Sequence, residues 1–256
     1  MFLERSLSGR QATLGDTRKE PRMKNARRRK LLPLGAALLA AVTLTVSLAS
    51  CGKATVEQRG NITFADAGWD SNRFHNAVAG LIAESAYGYT WNESTGSTTV
   101  TVEGVKKNEI DVNMETWSAN IATYEDDLAS GGYHLLGTNF DDNIQGFYVP
   151  RYVIEGDPER GIEPMAPDLK TVTDLMDYAD LFVDEEDKSR GRIYGAIPGW
   201  EIDTILYKKY ELYGLDKEYN YFRSGSDASL SAVISSAYDK GEPIVTYYWE
   251  PTWLMG

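Results

Sequence analysis

The chain has 256 residues, 42% apolar, 25% charged and 11% aromatic, the composition of a globular protein and not of a disordered or fibrous one. A formal charge of −12 excludes a broad nucleic-acid-binding surface, because phosphate contacts need basic patches. One cysteine and two histidines leave little material for a Cys/His metal site or a disulfide framework, so no metal or other cofactor is expected.

Charge divides the chain unevenly. Residues 1–51 hold ten of the 26 basic and three of the 38 acidic residues, leaving the remainder at a net −19. Lys24, Arg27, Arg28, Arg29 and Lys30 precede an apolar run from Leu31 to Leu48. That run is too short, and too close to a cleavage pattern, to read as a membrane span. It ends in Leu48-Ala49-Ser50-Cys51-Gly52, which resembles a bacterial lipobox. The resemblance implies that Cys51 is lipidated and becomes the mature N-terminus; the alternative is a buried cysteine after an uncleaved anchor. Met23 opens a signal peptide of ordinary shape, so residues 1–22 read as an upstream extension, 23–50 as the signal and 51–60 as the lipidated cysteine with a polar tether. Two acyl chains anchor firmly where one does not, which places the protein on the outer face of the cell membrane.

The body of the chain alternates strands and helices. Ile62 to Ala67 suits a first strand, and Asp70 or Ser71 can cap the helix after it. Phe74, Ala77, Val78, Leu81, Ile82 and Ala86 recur at helical spacing, with Gly88 as the stop. Val100 to Lys107 is ambiguous, Thr98 to Val102 favouring a strand by propensity; Ile110 to Met114 is a better strand, and a helix is expected from about Ser118 to Ser130. Phe147 to Ile154 reads as a strand and Val172 to Phe182 as a helix. Ile193 to Ile197 is a strand leading to a helix that ends at Gly214. Tyr219 to Phe222 is strand-like, a helix runs from Ala228 to Tyr238, and Ile244 to Tyr248 is the last strand. The alternation argues an α/β architecture with a mainly parallel sheet.

Four of the six tryptophans, Trp69, Trp117, Trp200 and Trp249, fall just beyond the C-terminal ends of expected strands. Ligands of open α/β sheets bind in the crevice outside those ends. Indole faces converging there suit a quaternary ammonium, which cannot donate a conventional hydrogen bond and is recognised by cation–π attraction. Core or interface packing is the plain alternative, and a sugar-stacking cleft is the other functional one. Trp91 and Trp253 remain unassigned, Trp91 reading as structural.

With these residues in place, the chain resembles the substrate-binding lipoproteins of glycine betaine/choline-type ABC transporters, the OpuAC-like family, from Ile62 to Gly256. The likeness rests on four stretches in order: Asp66-Ala67-Gly68-Trp69-Asp70, Asn108 to Trp117, Tyr194 to Trp200, and Ile244 to Trp253. It implies a two-lobed periplasmic-binding-protein-like fold of type II that closes on its ligand: residues 61–150 in lobe 1, 151–247 in lobe 2 and 248–256 returning to lobe 1. The family returns further than this chain does, so the resemblance implies that a C-terminal segment is lacking and lobe 1 is incomplete.

The implied ligand is glycine betaine, choline, carnitine or proline betaine, caged by Trp69, Trp117, Trp200 and Trp249. The amides of Gly68, Trp69 and Asp70, opening a helix, suit a ligand carboxylate. Thr252 stands where many family members carry a carboxylate-contacting histidine, which leaves betaine or choline open. Asp70 is either a ligand contact that favours a hydroxyl or a helix cap. The implied partners are an ABC permease and the membrane through the lipid anchor, with the chain itself a monomer.

Catalysis finds little support. No G-x-S-x-G elbow, P-loop or H-E-x-x-H occurs, and His75 and His134 have no nucleophile near them in sequence. Glu115, Glu201 and Glu250 could form a glycosidase-like acid pair, or Glu115 or Glu250 could complement a ligand cation. A sugar-binding or carbohydrate-active protein is therefore the alternative to a binding protein, and no enzyme is expected.

Overall fold

The computed structural model describes residues 2–3 and 58–255. The expected signal peptide, Cys51 and most of the tether lie outside the described residues. Strand β1 (Phe2–Leu3) pairs in parallel with β4 (Ile144–Pro150). Among the described residues no helix is long and apolar enough to cross a membrane.

Two sheets organise the chain. In the first, β2 (Gly60–Asp66) and β3 (Tyr89–Thr95) run parallel in register from Gly60↔Tyr89 to Asp66↔Thr95. Helix α1 (Asp70–Tyr87) connects them and ends where Gly88, at φ 76°, takes the left-handed turn that a side chain disfavours. The residues α1 buries are Asn72, Asn76 and Gly80, at i, i+4 and i+8. The apolar face expected from spacing points the other way, since Phe74, Val78, Leu81 and Ile82 are exposed. Gly80 is required by Trp91: a Cβ there would lie 2.3 Å from the indole, which also meets Phe64 edge-on. Trp91 thus locks α1 onto β3.

The β-branched stretch that favours a strand by propensity is instead helix α2 (Thr98–Lys106). Ser97 caps it by accepting from the Val100 amide, and the Thr101 hydroxyl donates to the Ser97 and Thr98 carbonyls in the preceding turn. Burial of Thr101, Val102 and Gly104, the last against Ile110, overrides the local preference. The strand expected at Ile110–Met114 shrinks to one bridge, Phe64↔Val112. The single helix expected over 118–130 divides into a 3₁₀ turn, Ser118–Asn120, and α3 (Tyr124–Ala129).

The second sheet has the order β1-β4-β7-β5-β6. Its later strands are β5 (Gly191–Gly195), β6 (Tyr219–Arg223) and β7 (Val245–Glu250). β5 is parallel to β6 and β7, whereas β4 is antiparallel to β7. The strand that a lobe boundary at residue 150 assigns to lobe 1 therefore hydrogen-bonds into the larger sheet. The expected continuation of β4 to Ile154 turns into a short helix, α4 (Arg151–Glu155), and the helix expected at Val172–Phe182 is a 3₁₀ helix over Val172–Tyr178. Helices α5 (Glu201–Leu212) and α6 (Asp227–Lys240) complete the alternation.

Two apolar clusters cover this sheet. One holds Tyr148, Ile197, Leu206, Leu230, Ile234 and Tyr248; the other holds Val149, Tyr152, Leu175, Ile193, Tyr219 and Val245. Neighbours such as Tyr148 and Val149 fall into different clusters because successive side chains of a strand point to opposite faces.

Candidate functional site

The loops after β2 and β5 meet the end of β7. Trp69 is the residue before α1, Trp200 the residue before α5, and Trp249 lies inside β7 rather than beyond it. Trp200 meets Trp69 edge-to-face at 5.3 Å and 84°, and Trp249 at 5.3 Å and 85°. All three are more than nine-tenths buried. The Trp200 Nε1–H donates to the Ala67 carbonyl at 2.8 Å, so the loop after β5 is tied to the loop after β2. Tyr248 packs against Trp249 at 4.4 Å and fixes the far wall.

These three and Trp117 line one cleft. Trp117 donates its Nε1–H to Glu115 Oε1 at 2.9 Å and meets Phe140 at 6.2 Å. Glu115 is buried; Oε1 also accepts from Ser71, and Oε2 lies 3.3 Å from His75 Nδ1. The remaining wall includes Thr98, Thr101, Asn113, Asn120, Gln145, Glu201 and Tyr247. Trp69 Nε1 and Trp249 Nε1 are buried donors without an acceptor among the described residues. Such donors are costly unless an incoming group accepts from them.

The other expected site residues are placed differently. Gly68, at φ 99°, sits between Ala67 and Trp69, both of which line the cleft, and its amide donates to Asp66 Oδ1 at 2.9 Å. The Asp70 amide donates to Asp227 Oδ2 at 3.2 Å. Two of the three amides expected to receive a ligand carboxylate thus already hold carboxylates of the protein. Asp70 is the first helical residue and not a side-chain cap; it is exposed, with Oδ1 3.9 Å from Arg73 Nη1. Asp70 and Thr252 line a neighbouring pocket with Asp227 and Trp253, separated from the tryptophan cleft by Trp249, which borders both.

A polar network holds the loop after β2. Asp66 accepts from the Gly68 amide, Arg73 Nε and Thr95 Oγ1; Asn72 Oδ1 accepts from the Ala67 amide; Asn76 donates to the Ala65 carbonyl and to Glu93. Burial pushes the Asp227 carboxyl up, the Asp70 amide bond opposes it, and the Asp70 charge adds to the rise. Sequence reasoning missed Thr98 and Thr101. Their i, i+3 spacing on one helix face carried the signal, hidden while the segment read as a strand. Among the described residues no group of three or more His, Cys, Asp or Glu could hold a metal ion.

A family model described as the substrate-binding domain of an ABC-type glycine betaine transport system matches residues 60–256. A protein of Chromohalobacter salexigens named ORF1 is 26% identical over 123 residues, 48% of this chain and 72% of its own length. Among solved structures, the glycine betaine/L-proline-binding protein ProX of Borrelia burgdorferi superposes with a TM-score of 0.59 at 22% identity, over 75% of this chain and 64% of that one. Lactococcal OpuAC, closed on glycine betaine, gives 0.55 at 19%, over 77% and 67%. A choline-binding ABC-transporter protein in complex with choline gives 0.55 at 24%, over 75% and 60%. These structures share the periplasmic-binding-protein-like α/β fold, and the chain spans about two thirds of their length or less.

Proposed function

The chain belongs to the family of substrate-binding domains of ABC-type glycine betaine transport systems, and from that premise we propose that it captures a quaternary ammonium compound in the tryptophan cleft. The family is a transport component and not an enzyme class. The observation that carries the proposal is the set of three indoles in which Trp200 stands nearly perpendicular to both Trp69 and Trp249, with Trp117 on the same cleft above a buried carboxylate. Aromatic faces attract a cation that has no N–H to donate, at about 0.5–2 kcal/mol per contact. Four such contacts at the desolvated upper end of that range reach about 8 kcal/mol, which is micromolar binding.

Capture would close the two sheets around the ligand and present the closed form to an ABC permease. Solute-binding components of such importers work outside the cytoplasm, and lipidation at Cys51 would hold this one, as a monomer, at the outer face of the membrane. Tryptophan fluorescence titration with glycine betaine, choline, carnitine, proline betaine and a sugar panel tests the reading. Saturable quenching by the ammonium compounds alone is expected; a response only to sugars would replace this reading with the carbohydrate one. Mass analysis of the membrane-extracted protein, expected to show a diacylglyceryl group on Cys51, tests the anchor.

A further inference from the structure

Resting on that reading, we infer that Glu115 makes the cleft select a net-cationic quaternary ammonium, one with a hydroxyl in place of a carboxylate, over the zwitterion. A zwitterion needs free amide donors or a positive group for its carboxylate as well as a cage for its ammonium. Among the described residues, the charged side chains lining the cleft are Glu115 and Glu201, and no Lys, Arg or His lines it. The nearby amides of Gly68 and Asp70 are held by Asp66 and Asp227, and Arg73 is held by Asp66 at 3.2 Å.

Glu115 is built into the site. It is 4% exposed, and its Oε1 is fixed by both the Trp117 indole and the Ser71 hydroxyl. Its Oε2 accepts no hydrogen bond among the described residues, although His75 Nδ1 lies 3.3 Å away. A buried carboxylate is costly without a charge partner. A ligand ammonium held by the surrounding indoles supplies one, whereas a ligand carboxylate would meet repulsion from both acids. The unpaired Trp69 and Trp249 N–H groups are neutral donors, sufficient for a hydroxyl but without charge to balance an anion. Glu115 therefore does two things: it orients the Trp117 ring and it supplies the counter-charge.

Glu115→Gln separates the two, because the amide oxygen can still accept from Trp117 while the charge is gone. Titrations at pH 8, above the ordinary histidine range, use choline, glycine betaine and tetramethylammonium. The wild-type chain is expected to bind choline at least about tenfold more tightly than glycine betaine, about 1.4 kcal/mol. Glu115→Gln should weaken choline and tetramethylammonium about tenfold or more and leave glycine betaine within about threefold. The ranking in the wild-type chain stands whether or not the variant folds. Glycine betaine binding as tightly as choline would overturn the inference, as would a variant with the wild-type unfolding transition that weakens all three ligands equally. Failure of every ammonium compound to bind the wild-type chain would instead overturn the proposed function.

Discussion

Around the five-stranded sheet, β7 is buried along all but its last residue and apolar clusters fill in on both faces. Around the two-stranded sheet, only the last three residues of β2 are buried, β3 has none, and α1 turns Asn72, Asn76 and Gly80 inward. Both regions supply walls to one cleft, by different physics. Trp69, Trp200 and Trp249 share one apolar cluster with Ile202, Leu206 and Tyr248, and Trp117 packs against it; what differs is the directional bonding added on the first side. On the first side, the loop carrying Trp69 is set by Asp66 and Asn72, and Trp117 is set by its bond to Glu115. Directional bonds in a thinly buried layer open more readily than a filled core.

The sharpest way to break this contrast is at Trp200, which makes both edge-to-face contacts. Trp200→Ala should lose ligand binding by at least about a hundredfold and cost about 3–5 kcal/mol of stability. Ligand titration and denaturant unfolding read the two effects. Trp117→Ala, on the hydrogen-bonded side, should weaken binding about tenfold or more with little change in unfolding; equal destabilisation by the two would erase the distinction. Next is Asp184, in the larger region. Burial raises its carboxyl, yet bonds from Arg192, Asn220 and the Glu186 amide outweigh that and hold it well below the usual carboxylate range. Because its folded value lies below the unfolded one, its contribution is present at neutral pH and is lost as pH falls through the acid range. Asp184→Asn should cost about 2–3 kcal/mol at pH 7, as expected when a charged hydrogen-bond partner is removed, and progressively less toward acid.

Gly80→Ala tests the smaller region. The added Cβ strikes the Trp91 ring, so a loss of about 1–2 kcal/mol should outweigh any gain in helix propensity. Thermal unfolding measures it; a stabilised variant would show that α1 does not rest on Trp91. The smallest effect is at Asp227, whose bond to the Asp70 amide joins the two regions. Its folded value is raised, so ionisation costs stability as pH rises through that value. Asp227→Asn should therefore gain relative to wild type between acid and neutral pH, read from unfolding at a series of pH values.

Sequence made the larger region legible and the smaller one only in part. Four tryptophans at expected strand ends pointed to one cleft, although Trp249 lies inside β7, because strand–loop–helix punctuation is local: Gly199 before Trp200 and Asp70 after Trp69 mark the turns. The misread segments are those where capping and burial outweigh residue propensity. Thr98–Lys106 is helical because Ser97 caps it and Gly104 receives Ile110. The face of α1 was inverted because its inner positions are polar, and their partners, Ala65, Ala67 and Glu93, are known only from the fold. Glu115 stood out in sequence as one of three acids near tryptophans; only its bonds to Trp117 and Ser71 set it apart.

The central claim is that the cleft recognises positive charge through indole faces, and charge is the property to vary alone. Choline and its neutral carbon isostere, 3,3-dimethylbutan-1-ol, have nearly the same shape and hydroxyl. In a side-by-side calorimetric titration, choline should bind and the isostere should bind at least about a hundredfold more weakly, about 2.7 kcal/mol. Equal affinity for the two would show that the cleft holds an apolar group of that size and not a cation.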